Sequence, residues 1–217
     1  MKKSSTNDIG CKSPGIFLII VGLFFLFACT QPPRKGKVLH ERVSEEQARP
    51  LSNLEDIQNA YAEIASELER GILDSSSFAY SCHDEKKGTI SYFTARGQLR
   101  LIVHRYNEYD HYDAVDRYFV TDSMLFFVSS NSASWAFESG PEGSTRDNIT
   151  ERRTYLIDHQ PVRCLEKKFV IRSQSIDNPS SETVPNNEVD CPPANEVMKL
   201  FQLLTKYRHK PTSGCLD

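Results

Sequence analysis

The chain lacks nearly every short signature that would name a chemistry. Its six cysteines include no C-x-x-C pair, so the close ligand spacing of a zinc site is missing. There is no G-x-S-x-G elbow and no H-E-x-x-H helix, which leaves a serine-hydrolase or zinc-protease reading without its usual mark. The segment GPEGST, residues 140–145, has glycines but neither the lysine nor the spacing of a phosphate loop. The acidic segment NEYDHYDAVD, residues 107–116, lacks the D-x-[DN]-x-[DN]-G order of a calcium loop, so Glu108, Asp110, Asp113 and Asp116 read as a solvated connection. No basic stripe with interleaved aromatics appears, and nucleic acid is therefore not an expected partner. No segment repeats at a fixed period, which argues against a solenoid.

What is present starts at the N-terminus. Lys2, Lys3 and Lys12 precede an unbroken apolar or small run from Gly15 to Cys29. Positive charge followed by a short apolar core is the layout of a secretory signal. At 15 residues the run falls short of the roughly 20 that a spanning helix needs. Its end, Leu26-Phe27-Ala28-Cys29, resembles the lipobox of bacterial lipoproteins. That resemblance implies cleavage before Cys29, a diacylglycerol on its thiol and acylation of the new amine. Thr30, rather than Asp, follows the cysteine, which by resemblance to enteric lipoproteins points to the outer membrane. The expected organisation is a signal peptide over residues 1–28, a polar tether over 29–50 and a globular domain over 51–217. The tether is marked by Pro32-Pro33 and the charged segment RKGKVLHERVSEEQARP. The removed segment carries Lys2, Lys3 and Lys12 against Asp8, so a precursor of net charge −3 becomes a mature chain near −5.

Cys11 leaves with the signal and Cys29 is the lipidation site, so Cys82, Cys164, Cys191 and Cys215 remain. An even number in an exported chain predicts disulfides. Four thiols allow three pairings, and the sequence does not choose among them. The pairing we favour is Cys164 with Cys191, which would close the Pro-containing excursion from Ser173 to Asp190.

Ser52 and Glu55 form a capping-box pattern before Leu54, Ile57, Tyr61, Ile64, Ala65 and Leu68, which recur at helical steps up to Gly71. From Phe78 the texture changes to strands. Three segments share one shape: an aromatic-led strand starting near Tyr92, Tyr118 or Tyr155, a short polar gap, and a longer strand. The gaps are residues 94–97, 121–123 and 158–160. SFAYS and SASWAF are each expected to add a strand. Met124 to Val128 is apolar throughout and predicts a strand covered on both faces. Leu99, Leu101 and Val103 alternate with Arg100, Ile102 and His104 and predict a half-buried one. Val197, Leu200, Phe201, Leu204 and Tyr207 lie on one stripe of a closing helix. The order predicts an α+β fold: a single antiparallel β-meander flanked by an N-terminal and a C-terminal helix, both packed on one sheet face.

The lipobox and the hairpins at Tyr92–Ile102, Tyr118–Val128 and Glu151–Lys168 together resemble envelope lipoproteins of the Bacteroidota type. The resemblance implies an envelope location and no particular activity. The function expected is a membrane-anchored binding or structural module, a monomer without cofactor or metal, held to the membrane by its lipid. Its partner would be an envelope protein or a glycan. The alternative is a small envelope hydrolase or metal-dependent enzyme, with His104, His111 or His159 as base. Tyr109, His111, Tyr112 and Trp135 are the candidate recognition residues, since Tyr and Trp dominate binding hot spots.

Overall fold

A computed structural model describes residues 50–217. The expected signal peptide, the expected lipidation site Cys29 and nearly all of the expected tether lie outside these residues. The described part contains α1 (Leu54–Glu69), β1 (Asp74–Cys82), β2 (Lys86–Ala95), β3 (Gln98–Glu108), β4 (Tyr112–Thr121), β5 (Met124–Phe137), β6 (Thr145–Ile157), β7 (Gln160–Arg172), β8 (Asn187–Glu188) and α2 (Ala194–Lys206). The eight strands form one antiparallel sheet in chain order. The coarse expectation of a meander with a helix at each end therefore matches the architecture. SASWAF is not a separate strand but the continuation of β5, and the eighth strand is the two-residue β8. Among the described residues no helix is long and apolar enough to cross a membrane.

The hairpin turns follow from local chemistry. Arg96-Gly97, Asp122-Ser123 and Asp158-His159 all have positive φ at both positions. Paired positive φ values give a turn whose twist matches that of the flanking strands. Each turn is followed by the same register slip, between Phe93 and Thr94, Phe119 and Val120, and Tyr155 and Leu156. One extra residue, Arg100, Phe126 or Val162, is left on the longer strand. Aligned by these turns, Tyr155 stands where Phe93 and Phe119 stand, and Thr154 takes the place of Tyr92 and Tyr118. The lead tyrosine of the third hairpin is thus one residue out of step with the other two.

The helices do not share a face. α1 buries Ile57 and Ile64 against Leu101, Val103, Phe119, Phe126 and Phe127. α2 buries Phe201 and Leu204 against Tyr80, Ile90, Tyr92, Ile102, Tyr118, Val120 and Leu156. Leu101 pairs with Phe119, and Ile102 pairs with Tyr118, so the two sets point to opposite sides. The expectation of one covered face is corrected to two. The half-buried reading of β3 falls with it: Leu101, Ile102, Val103 and His104 are all buried. Across the slip, Leu99 joins the α2 cluster and Leu101 the α1 cluster, although they are two residues apart.

The helix cap is also one residue later than expected. Asn53 is the N-cap and accepts from the Asp56 N–H at 3.0 Å, while Ser52 donates to the Asp56 carboxylate from its N–H and its Oγ. Asn is as good an N-cap as Ser, and Asp56 takes the reciprocal part that Glu55 was expected to play.

Disulfides join Cys82 to Cys215 and Cys164 to Cys191, the second being the pairing favoured above. Cys82 shares the face of Tyr80, and Cys164 that of Thr154, so both bridges belong to the α2 side of the sheet.

Candidate functional site: the open half of the α1 face

α1 covers only the part of its face near the three tight turns. Farther along the strands that face lies open, and a trough of about 790 Å³ crosses it from β1 to β6. Alternation along each strand sets its lining. Thr89, Arg105, Val115 and Asn131 form one cross-strand row, and Lys87, Asn107, Asp113, Ala133 and Ile149 form the next. Val115, Ala133 and Ile149 supply an apolar floor, while amides, hydroxyls and charges supply the margins. A hollow of about 420 Å³ beneath α1, lined by Gln58, Tyr61, Ser129, Arg153 and Tyr155, continues the trough toward the helix. At the side of β6 and β7, the 173–186 excursion folds over this face. Lys167 Nζ donates to Ser181 O at 2.6 Å and to Ser181 Oγ at 2.8 Å, and it pairs with Glu151 at 3.1 Å.

The four candidate recognition residues divide. His111 and Trp135 come together, with ring centroids 4.2 Å apart, and the Trp135 indole N–H donates to Asp110 O. Trp135 also meets Phe137 edge-on at 5.3 Å, and Phe137 is 72% exposed. Trp135 is two residues beyond Ala133 on the same side of β5 and so stands at the end of the trough. Tyr109 is exposed in the β3–β4 turn, with φ of 51°. Tyr112 lies on the opposite face, its ring 6.2 Å from Tyr106. Arg105, Asn131, Ala133 and Ile149 were not anticipated. Their signal was the alternation of β3, β5 and β6, which shows a shared face only once the register is known.

The acidic segment divides as well. Glu108 and Asp113 are strand residues, and Asp116 is buried in β4 on the α2 side. There it belongs to a closed polar cluster. Tyr80 Oη and His104 Nε2 are 2.8 Å apart, and the Tyr106 ring stacks on His104 at 4.5 Å. Tyr106 and Ser130 hydrogen-bond the Asp116 carboxyl, and Lys86 lies 4.2 Å above the Tyr106 ring while pairing with Glu108. Burial lowers the His104 pKa to about 4, with nearby Lys86 adding to the effect. Burial likewise raises Asp116 and pushes Tyr80 up to about 12. His104 Nδ1 is buried without a hydrogen-bond partner among the described residues. At 3% exposure His104 is sealed in, and it lines none of the hollows above. Tyr80 and Tyr106, by contrast, are among the residues along the trough. His111 packs on Trp135 rather than on a carboxylate, and His159 sits exposed in a turn.

Three metal-type donors gather within 4.8 Å in one place among the described residues, at Cys82, His83 and Cys215. The disulfide occupies both sulfurs there.

No family model matches the chain, and no curated protein or solved structure matches it either.

Proposed function

We propose that the chain is a lipid-anchored protein of the bacterial envelope that binds a partner in the trough of the α1 face. It carries no catalytic machinery of its own in this reading. The observation that carries it is the half-covered face. The helix α1 covers only part of its face, and the rest of that face carries a trough that runs from β1 to β6. Ligand sites are concave, with an apolar floor and a few polar groups that fix orientation. Val115, Ala133 and Ile149 beneath Arg105, Asn107, Asp113 and Asn131 fit that description. The anchor rests on the Leu26–Cys29 segment and its resemblance to a lipobox. The tether after Cys29 would hold the trough off the bilayer.

A photo-cross-linking residue at Ala133 tests the trough in cells, with the same residue at Glu69 on α1 as control. A discrete adduct at Ala133 and none at Glu69 is expected. Equal adducts at both, or none at Ala133, would remove the trough as the site. Cys29→Ser tests the anchor: it should abolish labelling by a fatty-acid probe and leave uncleaved precursor. Equal labelling of mutant and parent would end the lipoprotein reading.

A further inference from the structure

Three arginines on the α1 face have no side-chain partner among the described residues: Arg105 in the trough, Arg153 in the hollow beneath α1, and Arg117. Arg117 on β4 lies opposite Ser129 on β5, and Ser129 lies opposite Arg153 on β6. These three residues are in one cross-strand row. Arg105 on β3 lies opposite Val115, two residues along β4 from Arg117 and on the same side. With strands about 4.8 Å apart, the Cα atoms of Arg117 and Arg153 are about 10 Å apart. Those of Arg105 and Arg117 are about 8 Å apart on the same geometry. None of the three makes a side-chain hydrogen bond or ion pair among the described residues. Four other arginines of the sheet, Arg100, Arg152, Arg163 and Arg172, each hold a carboxylate, whereas Arg146 on the α2 side of β6 also lacks one.

The acids nearby form no ion pair with them, although Asp116, next to Arg117 in the chain and on the opposite face, feels its charge. Glu151 is taken by Lys167 and by the Ser181 hydroxyl. Asp113 lies opposite Asn107, one row beyond Arg105, and forms no ion pair with it. Lys87 adds a fourth positive charge on β2, weakly matched by exposed Asp84 at 3.5 Å. The concentration is local, because the whole chain carries −3. Like charges this close repel while the site is empty and favour whatever anion fills it. Guanidinium groups suit carboxylate and phosphate because both oxygens of an anion can be held at once.

We infer that the trough, with the hollow beside α1, takes an acidic glycan, a chain of sugars bearing carboxylate or phosphate groups, with Arg105 of the trough, Arg153 of the hollow and Arg117 in the row of Arg153 on its acid groups. This rests on the trough being a binding site, as proposed above, and adds the class of its ligand. Hydroxyl and amide side chains stand among the charges at Thr89, Ser129 and Asn131, matched to sugar hydroxyls. No aromatic side chain occurs in the two rows that carry the arginines, so the stacking platform of a single-stranded nucleic-acid site is missing there. The trough crosses six strands, or about 24 Å, which suits an extended polymer better than a single small anion.

The test uses the full chain in detergent and titration calorimetry with two probes, a hexamer of a uronic acid and a neutral glucan hexamer. The uronate should bind, weaken with added salt, and lose at least tenfold in affinity when Arg117→Gln and Arg153→Gln are combined. Arg105→Gln should weaken it separately, and Lys210→Gln, beyond α2, should leave it unchanged. Thermal melts of each variant establish that it is folded, and Arg117→Lys should restore part of the loss. Uronate binding that ignores the three arginines, or no uronate binding, overturns the inference. So does equal binding of the neutral hexamer, or displacement by an acidic peptide at lower concentration than by the uronate. In each of those cases an adduct at Ala133 would leave the trough itself standing, and its absence would take both readings together.

Discussion

The two faces of the sheet solve the same problem differently. On the α2 face β1 to β6 bury apolar side chains together with α2, and the polar groups that end up inside are paired except for His104 Nδ1, while Arg146, Asn148 and Arg152 farther along β6 stay exposed. Tyr92 donates to Leu204 O at 2.7 Å, which ties the sheet to the last turn of the helix. On the α1 face the helix covers the apolar half only. It is held by Ile57, Ile64 and the Arg100 guanidinium, which reaches Glu63 at 2.8 Å and Glu67 at 3.2 Å. Both disulfides lie on the α2 side. A sealed face holds its buried charges neutral or paired, whereas an open face can keep charges unpaired in water at little cost. Stability should therefore reside on one side and recognition on the other.

The largest effect that would break this division is loss of the Cys82–Cys215 bridge. It joins the end of β1 to the segment after α2 across 133 residues. The chain-entropy model assigns such a loop about 5 kcal/mol, against about 3.5 kcal/mol for the separation of 27 between Cys164 and Cys191. The double substitution Cys82→Ser with Cys215→Ser should lower urea stability by the larger amount. Hydrogen exchange should quicken in α2 and β1 before it does in α1. Exchange that quickens first in α1 would contradict the assignment of stability to the α2 side.

Next in size are the helix anchors. Leu204→Ala and Ile64→Ala each empty a fully buried site and should cost about 2–5 kcal/mol. The comparison lies in how the losses spread. Leu204→Ala should loosen the packing of the α2 face around Tyr92, whose acceptor is the backbone carbonyl of residue 204, while Ile64→Ala should release α1 and leave the sheet folded. Circular dichroism with tryptophan fluorescence separates the two outcomes, because Trp135 sits at the far end of the trough. Gly88 belongs with these sites. A Cβ there would fall 2.6 Å from Arg105 O and 2.7 Å from the Tyr80 ring, so Gly88→Ala should destabilise the α2 face through Tyr80.

The buried histidine gives the α2 face a pH signature. Folding lowers His104 from an ordinary pKa of 6.5 to about 4, because burial disfavours the imidazolium. Its contribution is complete above pH 6.5 and is lost as pH falls through the window down to 4, where the unfolded chain binds a proton that the folded chain refuses. The full span is about 3 kcal/mol. Asp116 works in the opposite sense: its raised pKa makes the folded state hold a proton longer, which offsets part of the loss at the acid end. Urea midpoints between pH 7 and 4 should fall steeply in the parent and more gently in His104→Gln. Parallel curves would show that His104 does not carry the effect.

Much of this fold was legible because the turns announce themselves. Polar pairs between aromatic strands at Arg96-Gly97, Asp122-Ser123 and Asp158-His159 fix three hairpins and hence a meander. The apolar run Met124–Val128 announced its cover on both faces for a physical reason: the slip at Phe119 lets Phe126 and Phe127 share one side while Leu125 and Val128 take the other. The same slip hid the allocation of faces. Leu99 and Leu101 read as neighbours on one face, yet the extra residue Arg100 sends them to opposite sides. A period of two cannot be carried across such a position. The trough was illegible for a related reason. Arg105, Arg117 and Arg153 are scattered over three strands, and only the register gathers them. His111 and Trp135 were legible as aromatic candidates, and Tyr112 was lost to the other face by parity alone.

The smallest effect sharpens the comparison most, because it sets arginine against arginine on one face. Arg100 is largely buried and holds two carboxylates of α1, although Glu63 is itself mostly exposed. Removing it should cost about 1 kcal/mol, at the upper end for partly exposed pairs. Arg117 and Arg153 hold nothing. Their combined replacement by Gln should change urea stability by less than about 0.5 kcal/mol, or raise it slightly as repulsion with Arg105 is relieved. Added salt should narrow the gap between parent and variant by screening that repulsion in the parent. A loss of 2 kcal/mol or more from the pair would mean that these arginines support the fold, and the division of the sheet into a stabilising face and a recognising face would fail at that point. A neutral result would leave three unpaired charges that the fold does not need, as the recognising-face reading expects.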